Sequence, residues 1–426
     1  MNFVILPNLV ALAVLVAVFW AISRKAFTER LHYWLAGWVL VLLHFTAEFL
    51  AGGEHPWTAI AEIIAVDTLL LAGIAFLISV APASSRKRRF TLALAIAVPT
   101  LAYATGAFLD VSSKGFYFAA LAAEIFALTI CCSKQLSQNS LRTLMALVLV
   151  ACATASTAWA IAAGNPDFGV SVFLAALNFS IAILYTSCYR RASVGVITTV
   201  VGFVLWGAVF PLALLVARLT SGFGPGAEAW NIPKYIVAVG MILTLFEEQI
   251  QTSRYHAYHD DLTGLPNRRL LSDRLNLALA HARRSRFKVA VFQLDLDRFK
   301  EINDTYGHRI GDLTLQEVAM RLAACVQPGD TLARSGGDEF TVISQVEDTK
   351  ATEDLVAALE AALSVPMIID DKEVLTGLSI GVALYPDDGV NADQLHAAAD
   401  RAMYVVKRSS RGGPADLSLP QASLSS

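Results

Sequence analysis

Two acidic clusters in the second half of this chain carry its most pointed chemistry: Asp295-Leu-Asp-Arg-Phe-Lys-Glu-Ile-Asn-Asp304 and, further on, Arg334-Ser-Gly-Gly-Asp-Glu-Phe340. Carboxylates are hard oxygen ligands, and magnesium takes one or two of them together with substrate phosphates. Gly336 and Gly337 lack a Cβ, so they adopt positive φ and let a backbone come close to a phosphate. Paired acids, one set on a glycine-tight turn, are what a magnesium-dependent nucleotide enzyme needs to hold a triphosphate. Phosphoryl transfer asks the protein mainly for positioning and charge neutralisation, so no dedicated strong base is required.

The surrounding pattern predicts the elements that must hold these residues. Asp260 to Arg269 is a turn-rich opening punctuated by Gly264 and Pro266, followed by a helix to about Arg284. Lys288 to Asp295, rich in β-branched and aromatic residues, predicts a strand. A helix follows from about Leu313 to Cys325. Thr331 to Ser335 and Phe340 to Ser344 predict two strands joined through Gly336-Gly337, the signal for a two-residue turn. A helix over Thr352 to Leu363, a strand pair (Met367 to Ile369 and Thr376 to Ala383) and a final helix over Ala392 to Arg408 complete the order. It predicts an α/β, ferredoxin-like layer with an antiparallel central sheet. Asp295 would end one strand and Asp338 sit in the hairpin, so that adjacent central strands bring both carboxylates to one edge.

At these residues the sequence resembles the GGDEF-domain diguanylate cyclases, which condense two GTP into cyclic di-GMP, and the resemblance runs from about Asp260 to Arg411. It implies the palm-like fold shared with nucleotide cyclases and polymerases, GTP as substrate, Mg2+ (or Mn2+) as cofactor, and a homodimer through the GGDEF domains. Asp295, Asp338 and the carbonyl of Leu296 match the family's metal positions. Asp338, Glu339 and Lys300 match its catalytic group. Two roles are open to Glu339, orienting the metal or assisting deprotonation of the attacking ribose 3′-hydroxyl. Asn303 and Asp312 match the positions that read guanine, and His308 belongs to the same motif. Lys300, Lys407 and Arg411 match phosphate-contacting positions, and three cations suit a triphosphate only partly neutralised by metal. Gly336 and Gly337 match the substrate-binding turn. The chain departs from the family where its product-inhibition motif, Arg-x-x-Asp, reads Gln327-Pro-Gly-Asp330, which implies weak or absent feedback. Ser410 and Gly412 also depart from the common residues around Arg411.

Composition divides the chain. Residues 1–250 hold 14 Lys+Arg and 11 Asp+Glu; residues 251–426 hold 19 and 25. An acidic second half without a basic patch lacks the footprint of a nucleic-acid binder. The five cysteines show no ligand or disulfide spacing. The first 250 residues read as about nine membrane spans, near 3–22, 33–52, 57–82, 90–109, 115–133, 141–163, 169–188, 195–217 and 232–250, since a bilayer core needs about 20 apolar residues per helix. Met1-Asn-Phe-Val-Ile-Leu-Pro has no positive n-region, so the first span is not expected to be a cleaved signal.

Basic residues gather in alternate loops: Arg24, Lys25 and Arg30; Arg86 to Arg89; Lys134 and Arg142; Arg190 and Arg191. The positive-inside rule then places the N-terminus outside and the GGDEF-like part in the cytoplasm, anchored to the inner membrane. Intramembrane charge is costly and often functional; His44, Glu48, Glu62, Asp67 and Glu124 are candidates for a small-ligand, proton or metal pocket, with the signal itself unreadable. Leu245 to His259 is expected to be a connector helix running straight on from Lys234 to about Tyr258. Residues 260–411 would be the cyclase domain and 412–426 a disordered tail. No phosphodiesterase-type segment follows, so synthesis is the only cyclic-dinucleotide chemistry expected.

Overall fold

The computed structural model describes residues 3–24, 29–52, 56–80, 86–132, 141–189, 192–219, 229–284 and 287–410. Two compact units divide the chain at Glu248 and Gln249. Arg411 and the tail expected over 412–426 lie outside the described residues.

The first unit is a succession of long helices: α1 (Leu6–Ser23), α2 (Glu29–Ala51), α3 (Thr58–Val80), α4 (Arg86–Phe108), α5 (Lys114–Cys132), α6 (Leu141–Ala163), α7 (Pro166–Cys188), α8 (Val194–Leu219) and α9 (Ile232–Tyr258). A helix closes its backbone hydrogen bonds within itself, which is what an apolar surrounding demands. Among the described residues seven helices are long and apolar enough to cross a membrane; Val148–Ala163, within α6, is a shorter apolar stretch. Large aromatics fill the centre. Trp34, Trp38, Phe45, Phe76 and Phe203 are fully buried, with Phe76 edge-on to both Trp38 and Phe203 at 5.3 and 5.8 Å between centroids.

The candidate polar residues of this bundle do not all converge on one place, although His44 and Glu48 are neighbours. His44 faces the Ala65 carbonyl at 2.8 Å and Glu48 at 3.5 Å, Asp67 accepts from Thr105 at 3.2 Å, Glu62 is exposed, and Glu124 lines a separate cavity. Among the described residues no three His, Cys, Asp or Glu side chains form a metal cage. Near the other end of α9, Glu248 pairs with Arg30 at 2.9 Å, and Glu247 accepts from the Ser193 hydroxyl and the Gly195 N–H. The helix continues unbroken to Tyr258.

The second unit alternates helices and strands: α10 (Arg268–Ala282), β1 (Lys288–Asp297), α11 (Phe299–Tyr306), α12 (His308–Cys325), β2 (Thr331–Gly336), β3 (Glu339–Val346), α13 (Thr349–Leu363), β4 (Met367–Ile369), β5 (Lys372–Val374), β6 (Gly377–Tyr385) and α14 (Ala392–Ser410). The main sheet has the order β2-β3-β1-β6, antiparallel throughout. This is the expected α/β layer, with two local differences. The strand expected to pair Met367–Ile369 with Thr376–Ala383 does not do so: β4 pairs with β5 in a separate two-stranded ribbon, while β6 pairs with β1. Asp370 and Asp371, both at positive φ, form the tight turn that makes the ribbon. The helix expected over Leu313 to Cys325 is present as α12 but starts earlier, at His308, and a short helix that was not expected, α11, precedes it, with Gly307 at φ 82 between the two.

Candidate active site

β1 shows how the sheet aims its chemistry. It is buried along nearly all its length because helices cover both faces. Ala290, Phe292, Leu294 and Leu296 enter one core with α12 and α13; Val289 and Val291 enter the other, with α10 and α14. Burying a large apolar side chain contributes about 1.5 to 3 kcal/mol, so the alternation is strongly held. Side chains alternate with period two, which carries the odd-numbered face on through Gln293 to Asp295. That carboxylate therefore emerges on the α14 side, 5% exposed.

The hairpin supplies the second acid. Gly336 pairs with Glu339, so the two-residue loop is Gly337-Asp338 rather than the expected Gly336-Gly337. A bulge between Arg334 and Gly336 shifts the register by one. Gly337 sits at φ 54, in the left-handed region that glycine enters without strain. In the β1–β3 register Asp295 lies opposite Glu339, and the Leu296 N–H donates to the Asp338 carbonyl at 3.3 Å. Three carboxylates are thereby crowded at one sheet end. Burial raises the pKa of Asp295 above the ordinary carboxylate range; the charges of Asp338 and Asp297 add to it, and Lys407 opposes. Glu339 is raised as well, first by burial and then by Asp295, Asp338 and Asp400.

Lys407 arrives from α14 and pairs with Asp295. Gly381 on β6 makes this approach available: a Cβ there would stand 2.1 Å from the Ala399 carbonyl and the Met403 N, and Lys407 lies one helical turn beyond Met403. On the opposite flank, α11 and α12 carry the residues matched to substrate. A Cβ on Gly311 would meet the Asn303 amide oxygen at 1.9 Å. Glycine at that position lets the Asn303 side chain lie against α12, next to Asp312. Asn303 is half-buried, whereas Lys300, His308 and Asp312 are exposed. Arg298, between β1 and α11, holds a left-handed φ of 57, a strained turn of the kind that clusters at working sites.

Several supporting residues act through partners that pattern reading could not assign. Arg334 grips the hairpin from within: its Nε and Nη2 donate to the Gly337 carbonyl at 3.0 and 2.7 Å, and its Nη1 to Asp260 at 2.8 Å. Burial alone would raise Asp260, but hydrogen bonds from Thr263 and Arg334 outweigh it and hold this carboxyl below the ordinary range. Asp297 accepts from the Ser379 hydroxyl at 2.7 Å. Beneath the site Ser335, Thr341 and Gln293 form a file of hydrogen bonds, 2.6 and 3.0 Å long. The signal for Arg334 was its place in the signature; its partner could not be read.

Metal fit follows from the donor chemistry. Asp338 is a carboxylate close enough to Asp295 for its charge to raise the Asp295 pKa, and Leu296 follows Asp295 directly in the chain. Two hard carboxylates, with the rest of the shell left to phosphate and water, are the set magnesium prefers.

Comparison with known proteins bears on the same segment. Residues 257–413 match the family described as "Diguanylate cyclase, GGDEF domain". The bifunctional diguanylate cyclase/cyclic di-GMP phosphodiesterase MucR of Pseudomonas aeruginosa is 46% identical over 157 residues, 37% of this chain and 23% of that protein. The diguanylate cyclase TpbB of the same organism is 40% identical over 163 residues, 37% of each chain. A solved sensory box/GGDEF family protein from Caulobacter crescentus CB15 is 45% identical over 36% of this chain and 99% of that one, with a TM-score of 0.35. The chain thus spans well under half the length of these two curated relatives. Through residues 257–413 it belongs to the diguanylate cyclase GGDEF-domain family.

Proposed function

We propose that this chain is a membrane-bound diguanylate cyclase that condenses two GTP into cyclic di-GMP with release of two pyrophosphates, under control of its membrane region. The observation that carries this reading is the register that sets Asp295 opposite Glu339 and ties Asp338 to the end of β1. Asp295, Asp338 and the Leu296 carbonyl would hold Mg2+, or Mn2+ in its place, which supplies charge neutralisation at the phosphates. Lys300, Lys407 and Arg411 would draw the triphosphate in. Asn303 and Asp312 would read the guanine edge, amide and carboxylate pairing with O6 and with N1–H and N2–H, and His308 belongs to that subsite. Gly336 and Gly337 would let the backbone approach the phosphates.

In the reaction, the ribose 3′-oxygen of one GTP bonds to the α-phosphorus of the other, the bond from that phosphorus to the pyrophosphate oxygen breaks, and the 3′-hydroxyl proton passes to solvent or to Glu339. Glu339 suits the task because its raised pKa brings a carboxyl nearer to neutral pH. The second bond forms by the same step with the roles exchanged, so two domains must face one another as a homodimer. Seven or nine crossings are both odd. With the basic loops inside, either count supports an outer N-terminus and a cytoplasmic GGDEF domain in the inner membrane.

The test is direct. Full-length protein in nanodiscs, given GTP and Mg2+, is expected to release pyrophosphate and form cyclic di-GMP, identified by mass spectrometry, while Asp338→Ala falls to background. Undiminished product from that variant would end the assignment.

A further inference from the structure

Within the helical unit, five helices (α3 to α7) line a cavity of about 80 Å³. Its walls are chiefly apolar, with Ile74, Leu121 and Phe173 among them, but its lining also includes Thr100, Glu124, Thr154 and Ser180. Glu124 is 8% exposed. Thr100 donates to the Ile96 carbonyl at 2.8 Å and is also in hydrogen-bond contact with Glu124, and Thr154 donates to the Val150 carbonyl at 2.8 Å. Each of these hydroxyl oxygens keeps a lone pair that can accept a further hydrogen bond. The polar side of the cavity thus offers oxygen acceptors on Glu124, Thr100 and Thr154, and the described residues lining it include no lysine, arginine or histidine. An ionised carboxylate in apolar surroundings without a cation is strongly disfavoured, and intramembrane acids of this kind are commonly functional.

We propose that this cavity is a binding site for a small primary ammonium compound, its three N–H donors directed at Glu124, Thr100 and Thr154 and its short alkyl body against the apolar wall. The chemistry matches on both sides: an ammonium group has three donors and no acceptor, and a charge-assisted bond to a carboxylate is stronger than a neutral one. Size sets the body. The cavity is roughly half of the ~150 Å³ that admits benzene, room for about three or four non-hydrogen atoms. The site lies wholly within the first unit, and its test does not depend on the cyclase reading.

The experiment is a thermal melt of the full chain in detergent micelles, followed by tryptophan fluorescence, with n-propylammonium chloride, 1-propanol and sodium propionate at matched ionic strength. A ligand that binds only the folded state raises the melting midpoint in a saturable way. Propylammonium is expected to do so and the isosteric alcohol and the anion are not. Glu124→Gln keeps the side-chain shape and is expected to weaken the propylammonium response about tenfold or more. Ala176→Leu, which fills the void while leaving the carboxyl in place, is expected to abolish it, and this variant carries the same test should Glu124→Gln fail to fold. Equal responses to propylammonium and 1-propanol, no response to either, or a wild-type response from Glu124→Gln or Ala176→Leu would each overturn the assignment.

Discussion

Arg334 offers the most searching test of how the signature turn is held. Its guanidinium makes three hydrogen bonds in two directions, two to the Gly337 carbonyl and one to Asp260, and both partners of the ion pair are mostly shielded, at 11% and 25% side-chain exposure. Lysine cannot reproduce this fork. Arg334→Lys should remove at least one bond to a charged group, worth about 1.5 to 3 kcal/mol, which corresponds to about a 10- to 100-fold increase in local opening. Deuterium exchange of the peptide spanning residues 331–346, measured on the full chain, reads that opening directly. Pyrophosphate release reads its consequence, because displacing a catalytic group by about 1 Å costs on the order of 100-fold in rate.

Asp260→Asn should produce a similar loosening, and the double variant Asp260→Asn/Arg334→Lys should be less than additive, with a coupling of about 0.5 to 3 kcal/mol. The pH dependence follows from linkage. Folding depresses the Asp260 pKa, so its contribution is complete above the unfolded value of about 3.9 and is lost only as pH falls through the lower folded value. The effect of Asp260→Asn on exchange should therefore be flat between about pH 5 and 8 once intrinsic exchange is corrected. Additive effects of the two substitutions, or wild-type exchange and turnover in Arg334→Lys, would refute the clamp.

Three further outcomes are expected. Gly311→Ala forces the Asn303 amide out of its place; KM for GTP should rise about tenfold or more and discrimination against ATP should fall, with kcat largely kept. Added cyclic di-GMP should leave turnover unchanged, because Gln327 stands where the family carries arginine and Asp330 is tied to the Gln327 N–H at 2.9 Å; inhibition relieved by Asp330→Ala would contradict this. Asp295 and Glu339 titrate above the usual carboxylate range, so protons compete with metal at higher pH than at ordinary acids. The Mg2+ concentration for half-maximal turnover should fall as pH rises from about 5 to 7, and a pH-independent value would argue against metal at this pair.

Contiguous residues determined a good deal by themselves. The β-branched run at Lys288–Asp295, the apolar helices, the unbroken stretch from Lys234 to about Tyr258 and the paired acidic clusters are properties of neighbours along the chain, and each was legible because propensity and periodicity are local. The structure alone decided which partner each element took. Whether β6 would join β1 or β4 turned on competing pairings, and where the hairpin loop falls turned on a one-residue bulge. Register follows from the summed burial of a whole face, and a single-residue slip would turn every side chain over. The pairs that complete the site bridge 74 residues, between Arg334 and Asp260, and 112, between Lys407 and Asp295. No short-range rule reaches that far. The acids of the membrane helices, candidates for a pocket when read along the chain, were dispersed by helix packing to separate surroundings, leaving Glu124 beside a cavity of its own.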